Sequence, residues 1–422
     1  MIKYLKYKPS GIEWIGEIPE HWRITKLKNY FSVSSGDFSP MVENKDSGFP
    51  IYGGNGFRGF SENFNTEGRM ILIGRVGAQC GNVRIADGRF WVSEHALKVQ
   101  PKKEFSLDFF FYLLQIIDLN QFAIKTAQPL INSTIVTDRY GIIPPLYEQT
   151  AIAEYLDNKT AQIDELIAKK ERLIELLEEE KTAVINEAVT GKAPITKNQT
   201  TKYKDSGIEC LPAGEVGLGE IPEHWEVKKL KYVGNIVLGK MLTNNNKGNY
   251  KKRKYIRAAN LEWLNVNVED VKEMWFSDDE LQKLRLKEND LLVSEGGEVG
   301  RTCIWKNEIE ECYIQNSVHK ITVNCQNNSY FFLYQFFLYG KKGAFDSIVN
   351  RISIAHLTGE KLKEIEFVSP PLKEQTQIVN YIEKETTRID KTIERTKKLI
   401  KLLKEYRTAL ISEVVTGKIK VI

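Results

Sequence analysis

Two segments of this chain occur twice, and this internal repeat limits the possible folds more than any other feature of the sequence. The short segment Gly-Glu-Ile-Pro-Glu-His-Trp stands at 16–22 and again at 219–225, both times after Ser-Gly-Ile-Glu. The long segments at 144–192 and 370–418 align without a gap and are identical at 25 of 49 positions. We interpret the chain as a duplication, in which each half has a short segment, a variable block and a long segment.

The repeat also gives the domain boundaries that we predict. The variable blocks cover 23–143 and 226–369 and share little identity. Segments that stayed alike are expected to perform the same task twice, and blocks that diverged to perform related tasks on different targets. Tolerance of drift in the blocks is the alternative. The predicted division is an N-terminal segment with the first block at 1–143, a helical segment at 144–192, a linker with the second block at 193–369 and a second helical segment at 370–422.

Both long segments have the signature of one long helix. Each opens with Pro-Pro-Leu-x-Glu-Gln, in which rigid prolines precede an acidic first turn. Each ends in Thr-Gly-Lys, where Gly191 and Gly417 are suited to cap the helix C-terminus. Apolar residues recur between these limits at helical spacing in a narrow stripe, which is typical of a coiled-coil seam. About 42 residues at a rise of 1.5 Å predict a rod of roughly 60 Å.

The charge of each long helix indicates its partner. Residues 152–190 carry 5 basic and 10 acidic side chains, whereas residues 378–416 carry 9 basic and 6 acidic ones. Each helix is therefore predicted to pair with the other rather than with a copy of itself, in an antiparallel intramolecular coiled coil. The alternative is that these charges are solvated faces without a pairing role, because exposed ion pairs contribute little individually.

The variable blocks mix short β-rich runs with glycine-rich turns, and aromatic helix-like runs follow at 109–114 and 330–337. The matching β-rich runs are 70–73, 82–85 and 96–99 in the first block and 291–293, 302–305 and 320–323 in the second. Each block is thus a compact α/β module. The predicted fold class is α+β, with two globular domains joined by the two long helices in a pseudo-two-fold repeat.

Composition limits the partners and the compartment. The net charge is only +4, from 60 Lys and Arg against 56 Asp and Glu, so a site for a polyanion must be local. Five cysteines without a C-x-x-C pair encode neither a disulfide framework nor a zinc ribbon. No run approaches the roughly 20 apolar residues of a membrane span, and the N-terminus lacks the apolar stretch of a signal peptide. We expect a cytoplasmic protein without a membrane partner.

The sequence lacks the residue patterns that a catalyst needs. It contains no G-x-x-x-x-G-K-[ST] phosphate loop, no strand-to-helix G-x-G-x-x-G and no metal-ligand spacing. His21 and His224 stand beside Trp22 and Trp225 in the short segments, which is more typical of packing pairs than of general bases. We therefore predict that the chain by itself is not an enzyme and holds no cofactor or metal.

The twin short segments, the twin Pro-Pro-Leu-x-Glu-Gln helices ending in Thr-Gly-Lys, and the two divergent blocks together resemble the DNA specificity subunit of type I restriction-modification systems. The resemblance covers nearly the whole chain. It implies that the blocks are target-recognition domains, each reading one half of a split, asymmetric site on double-stranded DNA, and that the coiled coil sets the unread spacer.

The resemblance also implies partner chains that carry the chemistry. These are two methyltransferase subunits using S-adenosylmethionine and restriction (motor-nuclease) subunits using ATP and magnesium, together forming an adenine-specific DNA methyltransferase and ATP-dependent endonuclease. Two alternatives remain open. One is the recognition subunit of a type IIB-like restriction system, and the other is a coiled-coil adaptor whose repeated domains bind proteins.

Candidate DNA contacts come from the glycine turns, the polar residues before the long helices and one basic run. Arg75 stands opposite Glu295 in the aligned turns, and Asn82 opposite Arg301. Because arginine reads guanine and glutamate accepts from cytosine, such exchanges would give different half-sites. The alternatives are ordinary surface or salt-bridged residues for Arg75 and Glu295, caps for the polar residues, and a solvated loop for the basic run. The candidates are Arg75, Gln79, Asn82, Arg84, Gln128, Asn132, Ser133, Lys251, Lys252, Arg253, Lys254, Arg257, Glu295, Arg301, Arg351 and Ser353.

Overall fold

The computed structural model describes residues 3–38, 47–125, 127–196, 201–208, 218–246, 248–345 and 356–421. Contacts divide the chain into two compact units, Met1–Glu171 with Lys397–Ile422, and Arg172–Thr396. Each unit contains one short repeated segment, one variable block and a part of both long helices. Among the described residues, no helix combines the length and the apolar composition that crossing a bilayer requires.

The described strands of the first unit form two four-stranded sheets and two strand pairs. The strands are β1 Tyr7–Pro9, β2 Glu17–Pro19, β3 Arg23–Lys26, β4 Phe31–Ser35, β5 Phe49–Gly53, β6 Gly56–Ser61, β7 Thr66–Glu67, β8 Met70–Gly74, β9 Val83–Ala86, β10 Arg89–Val92, β11 Ala96–Pro101 and β12 Tyr140–Ile143. The sheet orders are β6-β5-β10-β7 and β4-β11-β8-β9, and the pairs are β1-β2 and β12-β3. β5 and β10 run parallel, and the other paired strands run antiparallel.

The aromatic run of the first unit lies in helix α1, Leu107–Ile117, and a short helix α2 covers Ser133–Thr137. Ser106 caps α1, its side chain accepting a hydrogen bond from the backbone N–H of Phe109. Phe109 and Phe110 are completely buried. Burying a side chain of this size stabilises a fold by roughly 1.5–3 kcal/mol, so this run supplies much of the core of the first unit.

The described strands of the second unit repeat this plan. They are β13 Tyr203–Asp205, β14 Glu220–Pro222, β15 Glu226–Lys229, β16 Gly234–Leu238, β17 Lys251–Ile256, β18 Lys272–Phe276, β19 Leu291–Ser294, β20 Thr302–Ile304, β21 Tyr313–Ile314, β22 Val318–Val323 and β23 Glu366–Ser369. The sheets are β16-β22-β19-β20 and β18-β17-β21, with pairs β13-β14 and β15-β23. The order β16-β22-β19-β20 matches β4-β11-β8-β9, which confirms that the two blocks share one module.

The helices of the second unit's block are α4 Asp278–Leu284, α5 Ser329–Lys341 and α6 Gly359–Glu364. The aromatic run predicted as a helix forms α5. Its residues from Phe331 to Tyr339 are all buried, which places α5 at the centre of the largest hydrophobic cluster of this unit. That cluster also contains Trp225 of the second short segment.

The long repeated segments each form one helix, as predicted. α3 is Leu146–Val189 and α7 is Leu372–Val415, 44 residues each. Both end in the same capping motif. Gly191 and Gly417 have φ of +73° and +75°, and the hydrogen bonds Lys192 N to Glu187 O (2.7 Å) and Lys418 N to Glu413 O (2.8 Å) close the last turn. Glycine adopts this left-handed conformation without steric cost, which explains both C-terminal limits.

Within each unit the two long helices pack antiparallel. Ion pairs join them: Asp164 with Arg407 (2.9 Å) and Glu171 with Lys404 (3.4 Å) in the first unit, Glu180 with Arg388 (2.7 Å) and Lys181 with Asp390 (2.7 Å) in the second. In both units a later residue of α3 faces an earlier residue of α7. In the second unit, Leu177, Ile389 and Ile393 form the buried seam. The predicted pairing of an acidic helix with a basic one is confirmed.

The basic run at 251–257 has a different structure from the solvated loop that we considered. Residues Lys251–Ile256 form β17, between β18 and β21 in the three-stranded sheet. The loop alternative is therefore wrong. Arg253 and Tyr255 alternate with exposed lysines, which is the two-residue period of a strand. The many charges of the run make this period hard to recognise in the sequence.

Candidate nucleic-acid interface

The N-terminal segment 4–22, which ends in the first short repeated segment, is anchored on Glu148, in the first turn of α3. His21, Trp22 and Tyr4 reach this carboxylate at 2.6, 3.0 and 2.8 Å. Burial raises the pKa of Glu148, but the hydrogen bonds with these three side chains outweigh burial and hold the pKa below its usual range. The carboxylate therefore fastens the segment to the helix start in its charged form.

The same segment also contacts the end of α7. The Tyr7 hydroxyl donates to the carbonyl oxygen of Gly417 at 3.1 Å. A Cβ atom at Gly417 would lie 2.5 Å from Cδ of Pro19 and 3.0 Å from the ring of Trp22. Glycine at this position is needed both for the left-handed backbone and for this close approach.

The second unit repeats both attachments with its own residues. His224 and Trp225 each reach Glu374 of α7 at 3.0 Å. Tyr203 donates to the carbonyl oxygen of Gly191 at 3.1 Å, and a Cβ there would lie 2.4 Å from Cδ of Pro222. The repeated histidine and tryptophan thus hold helix ends in place, which agrees with their interpretation as packing residues rather than bases.

The turn after β8 carries Arg75, Gln79 and Asn82, and Arg84 follows on β9. Arg75 Nη1 donates to Ser35 Oγ at 3.0 Å and to the backbone oxygen of Glu94 at 3.2 Å. Gln79 and Asn82 are exposed and joined by a hydrogen bond of 2.7 Å. The exposed side chains of this turn offer amide and guanidinium groups, which are the groups that read base edges in a groove.

A glycine-rich hairpin turn between β5 and β6 lies against this turn. A Cβ at Gly54 would lie 2.8 Å from the backbone oxygen of His95, and one at Gly56 would lie 2.9 Å from Cζ of Arg84. The Arg84 guanidinium therefore covers Gly56. Its charge is held at the surface beside the turn that carries Arg75.

The segment before α3 adjoins the same turn. Val76 and Leu130 form a β-bridge, and Ile131 N donates to Arg75 O at 2.8 Å. This brings the exposed Gln128 and Asn132 beside the glycine turn. We call Arg75, Gln79, Asn82, Arg84 and Gln128 the first-unit patch.

Helix capping is the alternative role for the polar candidates, and two of them stand at the start of α2. Asn132 is the N-cap of α2, its side-chain oxygen accepting from Ile135 N at 2.9 Å, and Ser133 is the first residue of that helix. A cap residue still presents its remaining amide group to solvent. Base contact by Asn132 and Ser133 stays a prediction.

The second unit places Arg257, Glu295 and Arg301 together, and we call them the second-unit patch. Arg301 pairs with Glu298 at 3.0 Å and donates to the backbone oxygen of Ala258 at 2.9 Å. Arg257 precedes Ala258 and pairs with Asp270 at 2.6 Å. Arg301 thus has an acidic partner, and the exposed position of Glu298 makes this pair a weak one.

Arg75 and Glu295, and likewise Asn82 and Arg301, occupy equivalent backbone positions in the two units. In the first unit, Gly74 N donates to Asn82 O at 2.9 Å and Gly81 N to Gly74 O at 2.7 Å. In the second, the corresponding bonds are Ser294 N to Arg301 O at 2.9 Å and Gly300 N to Ser294 O at 3.0 Å. Arg75 directly follows Gly74, and Glu295 directly follows Ser294. One backbone frame thus presents different side chains in the two units.

The cations of β17 mostly have acidic neighbours. The pairs are Lys251 with Asp278 (2.7 Å), Lys252 with Glu273 (3.3 Å) and Arg253 with Glu311 (3.0 Å), and Lys254 lies opposite Glu273 in the strand register. These carboxylates reduce the positive potential of the run. Phosphate contact by this run stays a prediction, and Arg351 and Ser353 lie outside the described residues.

Sequence reasoning missed the roles of the Glu-Gln pair in the long segments. Gln149 accepts from Ser106 N at 3.0 Å and donates to Pro144 O at 2.9 Å, which ties the start of α3 to the start of α1. Gln375 makes the same two contacts, with Asn328 N and Pro370 O, both at 2.8 Å. The sequence does offer one signal for these roles: the Glu-Gln pair recurs unchanged in long segments that differ at about half of their positions.

Comparison with known proteins adds the family. The family model described as the type I restriction modification DNA specificity domain matches residues 19–176 and 222–405. The specificity subunit of the type I restriction enzyme EcoprrI from Escherichia coli is 36% identical over 119 residues, which is 28% of this chain and 30% of that subunit. The match therefore spans less than a third of that relative.

Longer matches extend over most of the chain. A putative type I restriction enzyme specificity subunit from Haemophilus influenzae, S.HindORF215P, is 24% identical over 79% of both chains. A solved chain from work on complex assembly and conformational transition of the type I R-M system aligns with a TM-score of 0.64 at 15% identity, covering 95% of this chain and 99% of that one. The family match spans both halves of the duplication, and the chain therefore belongs to the family of type I restriction-modification DNA specificity domains.

Proposed function

We propose that this chain reads a split, asymmetric site on double-stranded DNA, each variable block recognising one half-site. The observation that supports this most is the exchange of Arg75 for Glu295 and of Asn82 for Arg301 on one backbone frame. A frame kept in both blocks holds side chains in the same geometry, and a change of donor for acceptor alters the base that is read. The long antiparallel helices would then fix the number of base pairs that neither block reads.

The chain is proposed to scaffold catalytic partners rather than to catalyse. In this proposal it acts in the cytoplasm with two methyltransferase subunits that use S-adenosylmethionine and with restriction subunits that use ATP and magnesium. The relatives named above are specificity subunits of type I enzymes, which favours this function over a type IIB-like system and over a protein-binding adaptor.

A binding experiment with the methyltransferase subunits tests the proposal. Methylation profiling of host DNA first gives the modified motif. The complex is then titrated with duplexes that contain this motif, a scrambled first half-site or a scrambled second half-site, at about 50 and 200 mM salt. We expect each scrambled half-site to weaken binding by at least about 100-fold, and affinity to fall with salt for every duplex. Equal affinity for all three duplexes, or binding that is independent of salt, would contradict the proposal.

A further inference from the structure

In each unit the second strand of a parallel pair ends in a three-residue turn that the sequence had not singled out. In the first unit β10 lies parallel to β5 and is followed by 93–95. In the second unit β21 lies parallel to β17 and is followed by 315–317. Both turns therefore begin at the carboxyl end of a strand that pairs in parallel with its neighbour.

The two turns have the same backbone hydrogen bonds. Four bonds define the turn, and each differs by 0.1 Å between the units. In the first unit they are Ser93 N to Tyr52 O, Ala96 N to Ser93 O, Gly36 N to Ala96 O and Arg75 N to His95 O, and in the second Gln315 N to Ile256 O, Val318 N to Gln315 O, Gly239 N to Val318 O and Glu295 N to Ser317 O. Residues 93, 94 and 95 are therefore equivalent to 315, 316 and 317.

A steric requirement is also shared. A Cβ at Gly36 would lie 2.4 Å from the backbone oxygen of Ser93, and one at Gly239 would lie 2.3 Å from that of the equivalent Gln315. Each turn approaches the end of a neighbouring strand so closely that only glycine fits there. The two blocks have diverged in sequence, but the shape of this turn is the same in both.

The side chains on the turn are not preserved. Glu94 is replaced by Asn316 at the equivalent position, and His95 by Ser317. The Glu94 and His95 side chains are 25% and 40% exposed. Both turns adjoin the patches, because Arg75 donates to the backbone oxygen of Glu94 and Glu295 N donates to Ser317 O.

We propose that Glu94 and Asn316 are specificity-determining residues for the first and second half-site, an inference that rests on the proposed function. A glutamate carboxylate only accepts hydrogen bonds and suits the amino group of cytosine, whereas an asparagine amide both donates and accepts and suits adenine. Two residues at one backbone position with different hydrogen-bonding capacity select different bases.

Neither side chain takes part in the four hydrogen bonds that define its turn. The Glu94 carboxylate contacts His95 Nε2 at 3.1 Å on the same turn, and Asn316 Oδ1 accepts from the neighbouring Gln315. The four bonds that define the turn use only backbone atoms. Glu94→Gln and Asn316→Asp are isosteric, so both variants are expected to fold with the turn intact.

Reciprocal variants test the inference in the complex with its methyltransferase subunits. DNA selection is run with one half-site randomised and the other fixed, then the reverse, and the host methylome is sequenced in parallel. We expect Glu94→Gln to change the base preference at one position of one half-site by about tenfold and to leave the other half-site unchanged. Asn316→Asp should do the converse.

Glu104→Gln and Asn235→Asp are the matched controls, because both residues are exposed and stand outside the two turns. They are expected to keep the wild-type preferences. The inference is overturned if Glu94→Gln and Asn316→Asp keep every wild-type preference, or if both alter the same half-site. A wild-type complex without a split motif would instead refute the proposed function itself, so the two failures are distinguishable.

Discussion

Glu148 is a buried carboxylate with a structural task, since three side chains of the N-terminal segment bond to it. Its pKa is below the usual range of a glutamate, despite the opposite effect of burial. A carboxylate with a lowered pKa in the folded state stabilises the fold above its unfolded pKa of about 4.3. That contribution is lost as the pH falls through the folded-state pKa.

Replacement of Glu148 by glutamine is therefore expected to destabilise the protein in a pH-dependent way. Hydrogen bonds to a charged group contribute roughly 1.5–3 kcal/mol, so the Tm should fall clearly at pH 7. In acid the difference between Glu148→Gln and wild type should shrink, because the wild-type carboxylate also becomes neutral. Thermal unfolding at pH 7 and at about pH 3 measures this. Glu154→Gln, at an exposed position of the same helix, is the control, and an equal loss for Glu148→Gln at both pH values would contradict the argument.

Alanine substitutions at Gly417 and Gly11 distinguish the cost of backbone strain from the cost of a steric clash. Gly417→Ala places a methyl group 2.5 Å from Pro19 on a backbone with φ of +75°, whereas Gly11→Ala has nearly the same φ, +70°, and nothing within 4 Å. Both variants incur the left-handed strain of roughly 1 kcal/mol. Only Gly417→Ala must also displace Pro19 or Trp22, so its Tm should fall further. Equal Tm values for the two variants would show that the close contact has no cost.

The four cysteines in the described part of the chain should differ sharply in reactivity. Cys80, Cys303 and Cys312 are buried, whereas Cys325 is exposed. Burial raises the pKa of all three buried thiols, for Cys312 to about 12, so little reactive thiolate forms at pH 8. Iodoacetamide at pH 8, read by peptide mass spectrometry, should modify Cys325 in the native protein and the three buried cysteines only after addition of urea. Rapid modification of Cys303 without urea would contradict the packing of this core.

At the scale of elements, the seam between α3 and α7 should matter more than the ion pairs beside it. Ile389 is completely buried in the seam of the second unit, whereas the adjacent Arg388 is exposed in its pair with Glu180. Truncating a buried isoleucine costs roughly 2–5 kcal/mol, and an exposed pair contributes up to about 1 kcal/mol. Ile389→Ala should therefore lower the denaturation midpoint of the chain well below that of Arg388→Ala. A larger effect of Arg388→Ala would show that charge holds the helices together.

The elements differ in how far the sequence predicts them. α3 and α7 follow from local signals, because Gly191 and Gly417 end them and their apolar periodicity runs without interruption. Strand partners are not local. Nothing near Ile51 specifies that it pairs in parallel with Trp91, and the acidic neighbours of the 251–254 lysines and arginine come from β18, α4 and Glu311. For the same reason, the equivalence of the turns at 93–95 and 315–317 rests on long-range backbone hydrogen bonds that the local sequence does not specify.

At the scale of the molecule, the duplication explains which residues stayed alike. Each short segment contacts the start of one long helix and the end of the other: Glu148 and Gly417 in the first unit, Glu374 and Gly191 in the second. A change at a helix end therefore has to suit a short segment from the other half of the sequence. This mutual constraint preserves the anchoring residues, whereas the turn residues carry no such constraint and have diverged.

The proposed spacer role of the helices gives the last prediction. Deleting 177–183 together with 388–394 removes facing residues, including both partners of the pairs Lys181–Asp390 and Arg388–Glu180. Seven residues are one heptad, so the apolar seam stays in register. The helices lose about 10 Å, which corresponds to about three base pairs of DNA.

Methylome sequencing of a host that carries this double deletion should show both half-sites unchanged around a spacer shorter by about three base pairs. Deleting only 177–183 is the control, because it leaves seven residues of α7 without partners and should lower stability instead. An unaltered spacer in a folded, active double deletion would mean that the distance between the half-sites is not set by α3 and α7. The two blocks that read the half-sites would then have to be held at their distance by something other than α3 and α7.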